Sequence, residues 1–361
     1  MHIVHLINSS GWGGIEQYIL DLSVSQQAHG HNVVVVGRDY PDIAARFAGE
    51  GIDFVTAPVK KMFDFTTARR IARLIPAVGH TVVNANNFRD AVHAIAAVRR
   101  SKNRDARVVV TRHMFKAGSR DLLARRVYRN ADDIIFVSHI VRDIFLSTDP
   151  PVDRDKLHVV HSSSRYMPGD DFSASLNPSS TPVIAFCGRV VDEKGVDIML
   201  KALSQLSAYQ FKIKIIGHCS TDYQAELTDI ARHGGISDRI EWVGYCTDIH
   251  PQLRGVDIAV LPTRCVEAFG LSMIECMAHG IAVVTTDNGA QPEYITHGIT
   301  GLLVPPDDVD ATTQAVKRLL DDPQLAHDIA RAARRYYIDN LAYNRFYNKI
   351  MAIYERRQHH Q

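Results

Sequence analysis

The chain has 361 residues, 46% of them hydrophobic and 22% charged, which is typical of a globular protein long enough for two domains and excludes a disordered or fibrous chain. Its apolar runs have the length of strands, far short of the roughly 20 residues that a membrane span needs, and no secretory signal is visible, so we expect a cytoplasmic protein. Five cysteines without a CxxC pair argue against a disulfide framework and against a zinc site.

In the first half of the chain, short β-branched runs alternate with helical stretches. This alternation predicts strand–helix–strand units and a parallel sheet. Helices are predicted at 15–29 and 88–100. The predicted strands are 2–7, 32–37, 53–57, 81–85, 107–112 and 133–138.

A stretch rich in Ser, Pro and Asn at 173–182 separates the two halves, after which the same pattern restarts. The strands predicted there are 182–188, 212–217, 239–244, 257–262, 281–286 and 301–305, and the tail at 324–358 reads as helix. Two doubly wound α/β domains follow, with the ligand expected in a cleft at the carboxyl ends of the strands. The predicted parts are an N-terminal domain at 1–165, a linker at 166–181, a C-terminal domain at 182–340 and a C-terminal helix at 341–361 that packs back towards the first domain.

Charge is distributed unevenly along the chain. Residues 1–165 hold 23 Lys and Arg against 16 Asp and Glu, whereas the remainder holds 18 against 24. Eleven basic residues lie between Arg99 and Arg129. They could meet an anionic membrane surface or an acidic acceptor, or form an ordinary solvated helical face. Nucleic acid ranks below both, because the segment lacks interleaved aromatic residues.

The stretch CVEAFGLSMIECMAHG at 265–280 places one glutamate on each side of a Phe-Gly pair. Glu267 is expected in the loop after the strand at 257–262, and a helix is expected to begin near Gly270 and to carry Glu275. A helix start with a glycine suits a phosphate, because free backbone N–H groups and the helix dipole favour an anion there. The alternative is a pair of unrelated surface charges.

GRVVDEKG at 188–195 follows the first strand of the second half and brings two cations, Arg189 and Lys194, to its carboxyl end. Two cations beside a helix N-terminus suit a diphosphate. A solvated turn is the alternative interpretation.

Together these motifs resemble the retaining glycosyltransferases of the GT-B fold, in family four. The resemblance spans nearly the whole chain in the order of the family. It is carried by GGIE at 13–16, TRHMF around His113, GRVVDEKG at 188–195, PTRCVEAFGLSMIECMAHG at 262–280 and GAQPEYITHGITGLLVPPDD at 289–308.

The resemblance implies a nucleotide diphosphate sugar as donor and a glycan, lipid-linked or small-molecule acceptor, with no obligatory metal or other cofactor and no protein nucleophile. It implies catalytic roles for His113, Arg189, Lys194 and Glu267. It implies donor-binding roles for Gly14, Phe269, Gly270, Leu271 and Glu275, and acceptor-binding roles for Gly13 and Glu16.

Two further motifs bear on this interpretation. NANN at 84–87 stands where relatives often have histidines, and DRD at 153–155 is expected to be a solvated turn, not a metal site.

Two alternative functions remain. The first is a nucleotide-sugar epimerase or hydrolase on the same scaffold, and the second is a non-catalytic protein that binds sugar nucleotides. The four charged side chains of the predicted donor site argue against the second of these.

Overall fold

The computed structural model describes residues 1–58, 62–166 and 181–356. The chain divides into two compact units: unit 1 comprises Met1–Ser162 with Asn344–Gln361, and unit 2 comprises Ser163–Tyr343. Most of the predicted linker, residues 167–180, lies outside the described residues. Within the described ranges, no helix combines the length and the apolar character that crossing a membrane requires.

Unit 1 is built on a seven-stranded parallel sheet in the order β3-β2-β1-β4-β5-β6-β7. Its strands are β1 (His2–Leu6), β2 (Asn32–Gly37), β3 (Asp53–Thr56), β4 (Thr81–Ala85), β5 (Ala106–Arg112), β6 (Asp133–Phe136) and β7 (Leu157–Val159). Its helices are α1 (Gly14–Ala28), α2 (Pro41–Gly49), α3 (Phe65–Ala72), α4 (Phe88–Ser101), α5 (Leu122–Asn130), α6 (His139–Leu146) and, from the end of the chain, α13 (Tyr343–Tyr354).

Unit 2 has a six-stranded parallel sheet in the order β10-β9-β8-β11-β12-β13. Its strands are β8 (Val183–Cys187), β9 (Lys212–Ile216), β10 (Ile240–Gly244), β11 (Ile258–Leu261), β12 (Ala282–Thr286) and β13 (Leu302–Val304). Its helices are α7 (Val196–Gln205), α8 (Thr221–His233), α9 (His250–Leu253), α10 (Leu271–Ala278), α11 (Val309–Asp321) and α12 (Pro323–Tyr336).

The predicted α/β fold class is therefore confirmed, and each of the twelve predicted strands is present with its ends moved by two residues at most. The central strands were recognisable because helices cover both faces of a parallel sheet, so that β4 and β12 are buried along their whole length and read as apolar runs. The strand β7 was not among those predicted. It has three half-buried residues at the edge of its sheet, too few for a pattern.

The predicted tail helix at 324–358 is interrupted. A π-helical segment, Tyr337–Leu341, follows α12, and Ala342 leaves the helical region with φ −55° and ψ 144°. The Ser163 hydroxyl donates a hydrogen bond of 2.6 Å to the carbonyl of Leu341, which satisfies one of the carbonyls that the break leaves free.

Packing in unit 1 holds α13 against the sheet. The carbonyl of Tyr354 accepts from His80 Nε2 at 2.7 Å, and that of Ile353 accepts from Arg107 at 3.0 Å. Arg107 also forms a buried ion pair with Asp133. The last carbonyls of α13 are thus paired with side chains from the sheet, as buried helix ends require.

Candidate active site

The carboxyl ends of β8, β11 and β12 meet at one edge of the unit 2 sheet. The strand order runs from β8 through β9 to β10 on one side of the sheet, and from β11 through β12 to β13 on the other. The direction of the strand order therefore reverses between β8 and β11. In open parallel sheets such a reversal leaves a crevice in which ligands bind. The turns after β8 and β11 border that crevice.

The turn after β8 carries the two predicted cations. Arg189 is exposed, and no described residue forms a hydrogen bond or ion pair with its side chain. Lys194 ends a 3₁₀ turn, Asp192–Lys194. Gly195 follows with φ +69°, and a Cβ there would lie 2.1 Å from the carbonyl oxygen of Pro262. This glycine therefore lets the β8–α7 turn pack against the end of β11.

Lys194 and Glu267, predicted from two separate motifs, form an ion pair. Only 19% of the lysine side chain and 16% of the glutamate side chain are exposed. The Thr263 hydroxyl lies 3.4 Å from the same carboxylate oxygen, and Cys265 Sγ lies 3.7 Å from Lys194 Nζ. An anionic ligand that binds Lys194 must therefore compete with Glu267 for it.

The backbone of the neighbouring turn fixes the position of Glu267. Its carbonyl accepts a hydrogen bond of 2.9 Å from the N–H of Ala290, which follows β12. Asn288 Nδ2 donates to the carbonyl of Arg264 at 2.9 Å. The segment after β12 thus holds the loop between β11 and α10 at two points.

The start of α10 matches its prediction, because Gly270 is the N-cap and Leu271 the first helical residue. Gly270 has φ +88°, and no described side chain caps the helix. The carbonyl of Phe269 accepts a 2.6 Å hydrogen bond from the buried hydroxyl of Tyr294. Burial, with a smaller contribution from the charge of Glu267, raises the pKa of Tyr294 well above its usual value, so this hydroxyl remains a donor. The N–H groups of Leu271 and Ser272 have no acceptor among the described residues and can bind a ligand, whereas that of Met273 donates to the carbonyl of Gly270 at 3.1 Å.

Glu275 lies on α10, one helical turn after Leu271, and is half-buried. Its neighbours Ile274 and Cys276 are fully buried. Glu267 therefore lies in the loop and Glu275 on the helix, as predicted.

Arg264 was not singled out from the sequence, yet it connects three segments around the site. Its guanidinium makes two hydrogen bonds to Asp197, of 2.7 and 2.9 Å, and contacts Asp192 at 3.2 Å and Asp307 at 2.5 Å. Burial opposes ionisation of Asp197, but the hydrogen bonds from Arg264 and Lys201 outweigh it and lower its pKa to about 2. An arginine three residues after the end of β11 was the only sequence signal for this role.

In unit 1, the loop after β1 leads into α1. Gly13 is the N-cap, in extended conformation, and Gly14 is the first helical residue. Glu16 is buried, 4% exposed, and its carboxylate accepts a hydrogen bond from the Ser9 hydroxyl. Glu16 therefore holds this loop in place, and its predicted contact with an acceptor remains a prediction.

His113 directly follows β5, as predicted, and is half-buried. Its ring packs edge-on against Tyr18 with centroids 4.8 Å apart. Its Nε2 lies 3.0 Å from Asn86 Oδ1. Burial lowers the pKa of His113 to about 3, so the imidazole is neutral at physiological pH.

Two family models match successive parts of the chain. The model described as Glycosyltransferase Family 4 matches residues 12–163, and the model described as Glycosyl transferases group 1 matches residues 169–336. The chain belongs to the family 4 glycosyltransferases of the GT-B type. The two family matches confirm the resemblance inferred from the motifs, and membership in this family identifies the protein as an enzyme.

Relatives in sequence include a GDP-mannose-dependent alpha-(1-6)-phosphatidylinositol monomannoside mannosyltransferase of Mycolicibacterium smegmatis, 28% identical over 91% of each chain. A lipopolysaccharide core biosynthesis mannosyltransferase, LpsB of Rhizobium meliloti, is 33% identical over 50% of this chain and 53% of its own.

Solved structures show the same fold. A glycosyltransferase from Rickettsia africae superposes with a TM-score of 0.83 at 21% identity, over 98% of this chain and 97% of its own. Anabaena Alr3699/HepE, in complex with UDP, superposes with a TM-score of 0.82 at 18% identity, over 98% and 99%.

Proposed function

We propose that this glycosyltransferase transfers a sugar from a nucleotide diphosphate sugar to a glycan or lipid-linked acceptor with retention of anomeric configuration. The observation that carries the proposal is the convergence of Arg189, Lys194, Glu267 and the open start of α10 at the reversal point of the unit 2 sheet. Two cations and a free helix N-terminus match the charge of a diphosphate.

Each side chain has a chemical role in this proposal. Arg189 and Lys194 bind the diphosphate and stabilise the negative charge that grows on it as the sugar leaves, which is the main catalytic effect of such a site. Glu275 accepts hydrogen bonds from the ribose, and Glu267, released from Lys194 by the diphosphate, contacts the sugar ring. The first N–H groups of α10, after Phe269, donate to the phosphate.

The proposed chemistry requires no protein nucleophile and no metal. An acceptor hydroxyl attacks the anomeric carbon on the face from which the diphosphate departs. The bond between that carbon and the phosphate oxygen breaks, and the hydroxyl proton passes to the departing phosphate. Activity that survives an excess of EDTA would support the metal-free part, and activity restored only by Mg²⁺ would contradict it.

The names of the relatives support a panel of donors and a lipid-linked acceptor. One relative is named as GDP-mannose-dependent and as acting on a phosphatidylinositol mannoside, and one neighbouring structure contains UDP. The donor panel should therefore include GDP-mannose, UDP-glucose and ADP-glucose.

The deciding experiment is slow hydrolysis of this panel by the pure protein, beside Arg189→Ala and Glu275→Ala. We expect one nucleoside diphosphate to be released, and each substitution to reduce its release about 100-fold or more, because each removes a charged group from the site. Arg232→Ala and Glu226→Ala, which remove exposed charges from α8 in the same unit, are the matched controls.

Release that both site variants retain would contradict the assigned roles. A donor that raises the melting temperature while no nucleotide is released, with any acceptor tried, would favour a non-catalytic binding protein. Conversion of the donor sugar without an acceptor would favour an epimerase.

We also propose that unit 1 meets an anionic membrane surface from the cytoplasmic side. Nine of the eleven cations between Arg99 and Arg129 are exposed, whereas Arg107 is buried in an ion pair and Arg112 lies over the ring of Phe145. Leu122, at the start of α5, is 85% exposed beside them. A cationic surface with an exposed apolar side chain suits anionic lipid headgroups.

Sedimentation with vesicles tests this surface. Phosphatidylglycerol vesicles should carry the protein down at low salt, and phosphatidylcholine vesicles should not. Arg125→Glu with Arg126→Glu on α5 should weaken binding at least tenfold, since each basic residue contributes about 1 kcal/mol. Arg232→Glu on α8 is the control, and equal sedimentation with both lipids would contradict the proposal.

A further inference from the structure

A line of buried polar side chains crosses the centre of the unit 1 sheet. His5 on β1 and Asn84 on β4 are partners in register, and both are completely buried. Asn84 Nδ2 lies 3.1 Å from His5 Nδ1 and 3.5 Å from Asn86 Oδ1. Asn86, 4% exposed, then contacts His113 at the edge of the sheet. Buried polar groups that all have partners fix one arrangement of protons.

One backbone carbonyl determines that arrangement. Asn86 Nδ2 donates to the carbonyl of Leu6 at 2.9 Å, so the amide cannot be turned over without placing two acceptors against each other. Asn86 Oδ1 therefore faces His113 as an acceptor. Because a neutral imidazole carries one proton, the proton of His113 must lie on Nε2, and Nδ1 must be an acceptor.

The interior end of the line agrees with this assignment. Asn84 Oδ1 accepts from the Thr111 hydroxyl at 2.8 Å, which leaves Asn84 Nδ2 as donor to His5 Nδ1. His5 then donates through Nε2 to Gln26 Oε1 at 2.8 Å. Burial lowers the pKa of His5 to about 4, so this ring is neutral as well. Every contact along the line pairs one donor with one acceptor.

His113 Nδ1 has no hydrogen-bond partner in the described part of the chain. It is not one of the buried atoms without a partner there, so it is accessible to solvent. The titratable ring against His113 is that of Tyr18 on α1, which packs edge-on. The imidazole therefore presents to a ligand a neutral acceptor, which can receive a hydrogen bond from a hydroxyl and cannot donate to a phosphate oxygen.

We propose that Asn86 is a positioning residue that holds His113 in its Nε2–H tautomer and so leaves Nδ1 as a hydrogen-bond acceptor. The tautomer depends on contacts within unit 1 alone, whereas its part in sugar transfer rests on the proposed function. The amide of Asn86 in NANN at 84–87 thus acquires a role, because it can fix the tautomer of the neighbouring imidazole.

The test is a long-range ¹H–¹⁵N correlation spectrum of the full chain labelled in its histidines, with His113→Gln to assign the ring. We expect a protonated Nε2 and a bare Nδ1 in the wild-type protein without ligand at pH 7. Asn86→Asp should raise the pKa of the ring, because a carboxylate replaces the amide beside Nε2, and should keep the proton on Nε2, because the carboxylate also accepts a hydrogen bond. Asn86→Leu should abolish the preference for one tautomer.

A protonated Nδ1 in the wild-type protein would overturn the proposal whether or not the variants fold. A proton on Nδ1 in folded Asn86→Asp, or an unchanged preference for Nε2–H in folded Asn86→Leu, would overturn it too. The expected tautomer in a protein that releases a nucleoside diphosphate from none of the three donors, with any acceptor tried, would support the positioning role and contradict the proposed function.

Discussion

Asp90 is a carboxylic acid buried in the first turn of α4, where sequence alone suggests only a favourable charge at a helix start. The N-cap Asn87 donates to its Oδ2 at 2.6 Å, but its Oδ1 is buried with no hydrogen-bond partner among the described residues. Burial raises the pKa of Asp90 to about 7, against smaller opposing effects of Arg89 and Asn87. An ionised Asp90 is therefore costly.

The pH dependence of stability follows from this shift. The folded state holds the Asp90 proton up to about pH 7, whereas the unfolded state loses it near 3.8, so the stability that the protonated form contributes is lost as the pH rises towards and through 7. Asp90→Asn should raise the melting temperature at pH 8, by an amount equivalent to roughly 1–3 kcal/mol, and change it little at pH 4. Asp105→Asn, at an exposed position, is the control. An equal effect at both pH values would contradict the assignment.

The site residues differ in how far sequence could place them. Glu267, Glu275, Arg189 and Lys194 were predicted because strand ends and helix starts are visible locally. The ion pair between Lys194 and Glu267 could not be predicted, because it joins residues 73 positions apart through the neighbouring ends of β8 and β11. The role of Arg264 could not be predicted for the same reason, since its three carboxylate partners come from distant segments.

At the scale of elements, twelve of the thirteen strands that the structure describes were predictable, and the short edge strand β7 was not. The break at Ala342 was missed because the residues around it continue a helical pattern, and the interruption is set by contacts such as that of Ser163 with Leu341. Tertiary contacts decide such boundaries over local propensity.

Gly195 joins two elements, and its replacement is a direct test of the β8–α7 turn. Gly195→Ala adds a Cβ 2.1 Å from the backbone oxygen of Pro262, so the backbone must shift, in addition to the strain of φ +69°. Gly235, which also has φ +69° but open space around it, is a matched control for the strain alone. Gly235→Ala should cost about 1 kcal/mol and Gly195→Ala at least 3 kcal/mol. Equal losses in denaturant titrations would contradict the close packing.

At the scale of the whole molecule, the end of the chain completes the unit in which the chain begins. Phe346 packs edge-on against Tyr18 with centroids 5.3 Å apart, and Gln26 Nε2 donates to Met351 Sδ at 3.6 Å. Arg356 pairs with the buried Asp133 at 2.8 Å. The helix α13 therefore belongs to the core of unit 1.

A chain that ends at Tyr343 should consequently lose unit 1. Removal of α13 exposes the apolar side chains beneath it and leaves Asp133 without one of its cations, a loss of several kcal/mol. Hydrogen exchange should show β1 to β6 unprotected while β8 to β12 stay protected. A chain that ends at Arg356 is the control, and full protection of both sheets in the shorter chain would contradict the role of α13.

The membership of α13 in unit 1 also sets an order of events during synthesis. Unit 2 is one continuous segment inserted into unit 1, so every contact it needs is available before the last helix of unit 1 leaves the ribosome. At about 5–20 residues per second, the first 162 residues wait roughly 10–40 s for their final helix. The second unit in sequence can therefore finish folding first, while the first remains unfinished, with apolar surface that a chaperone could cover.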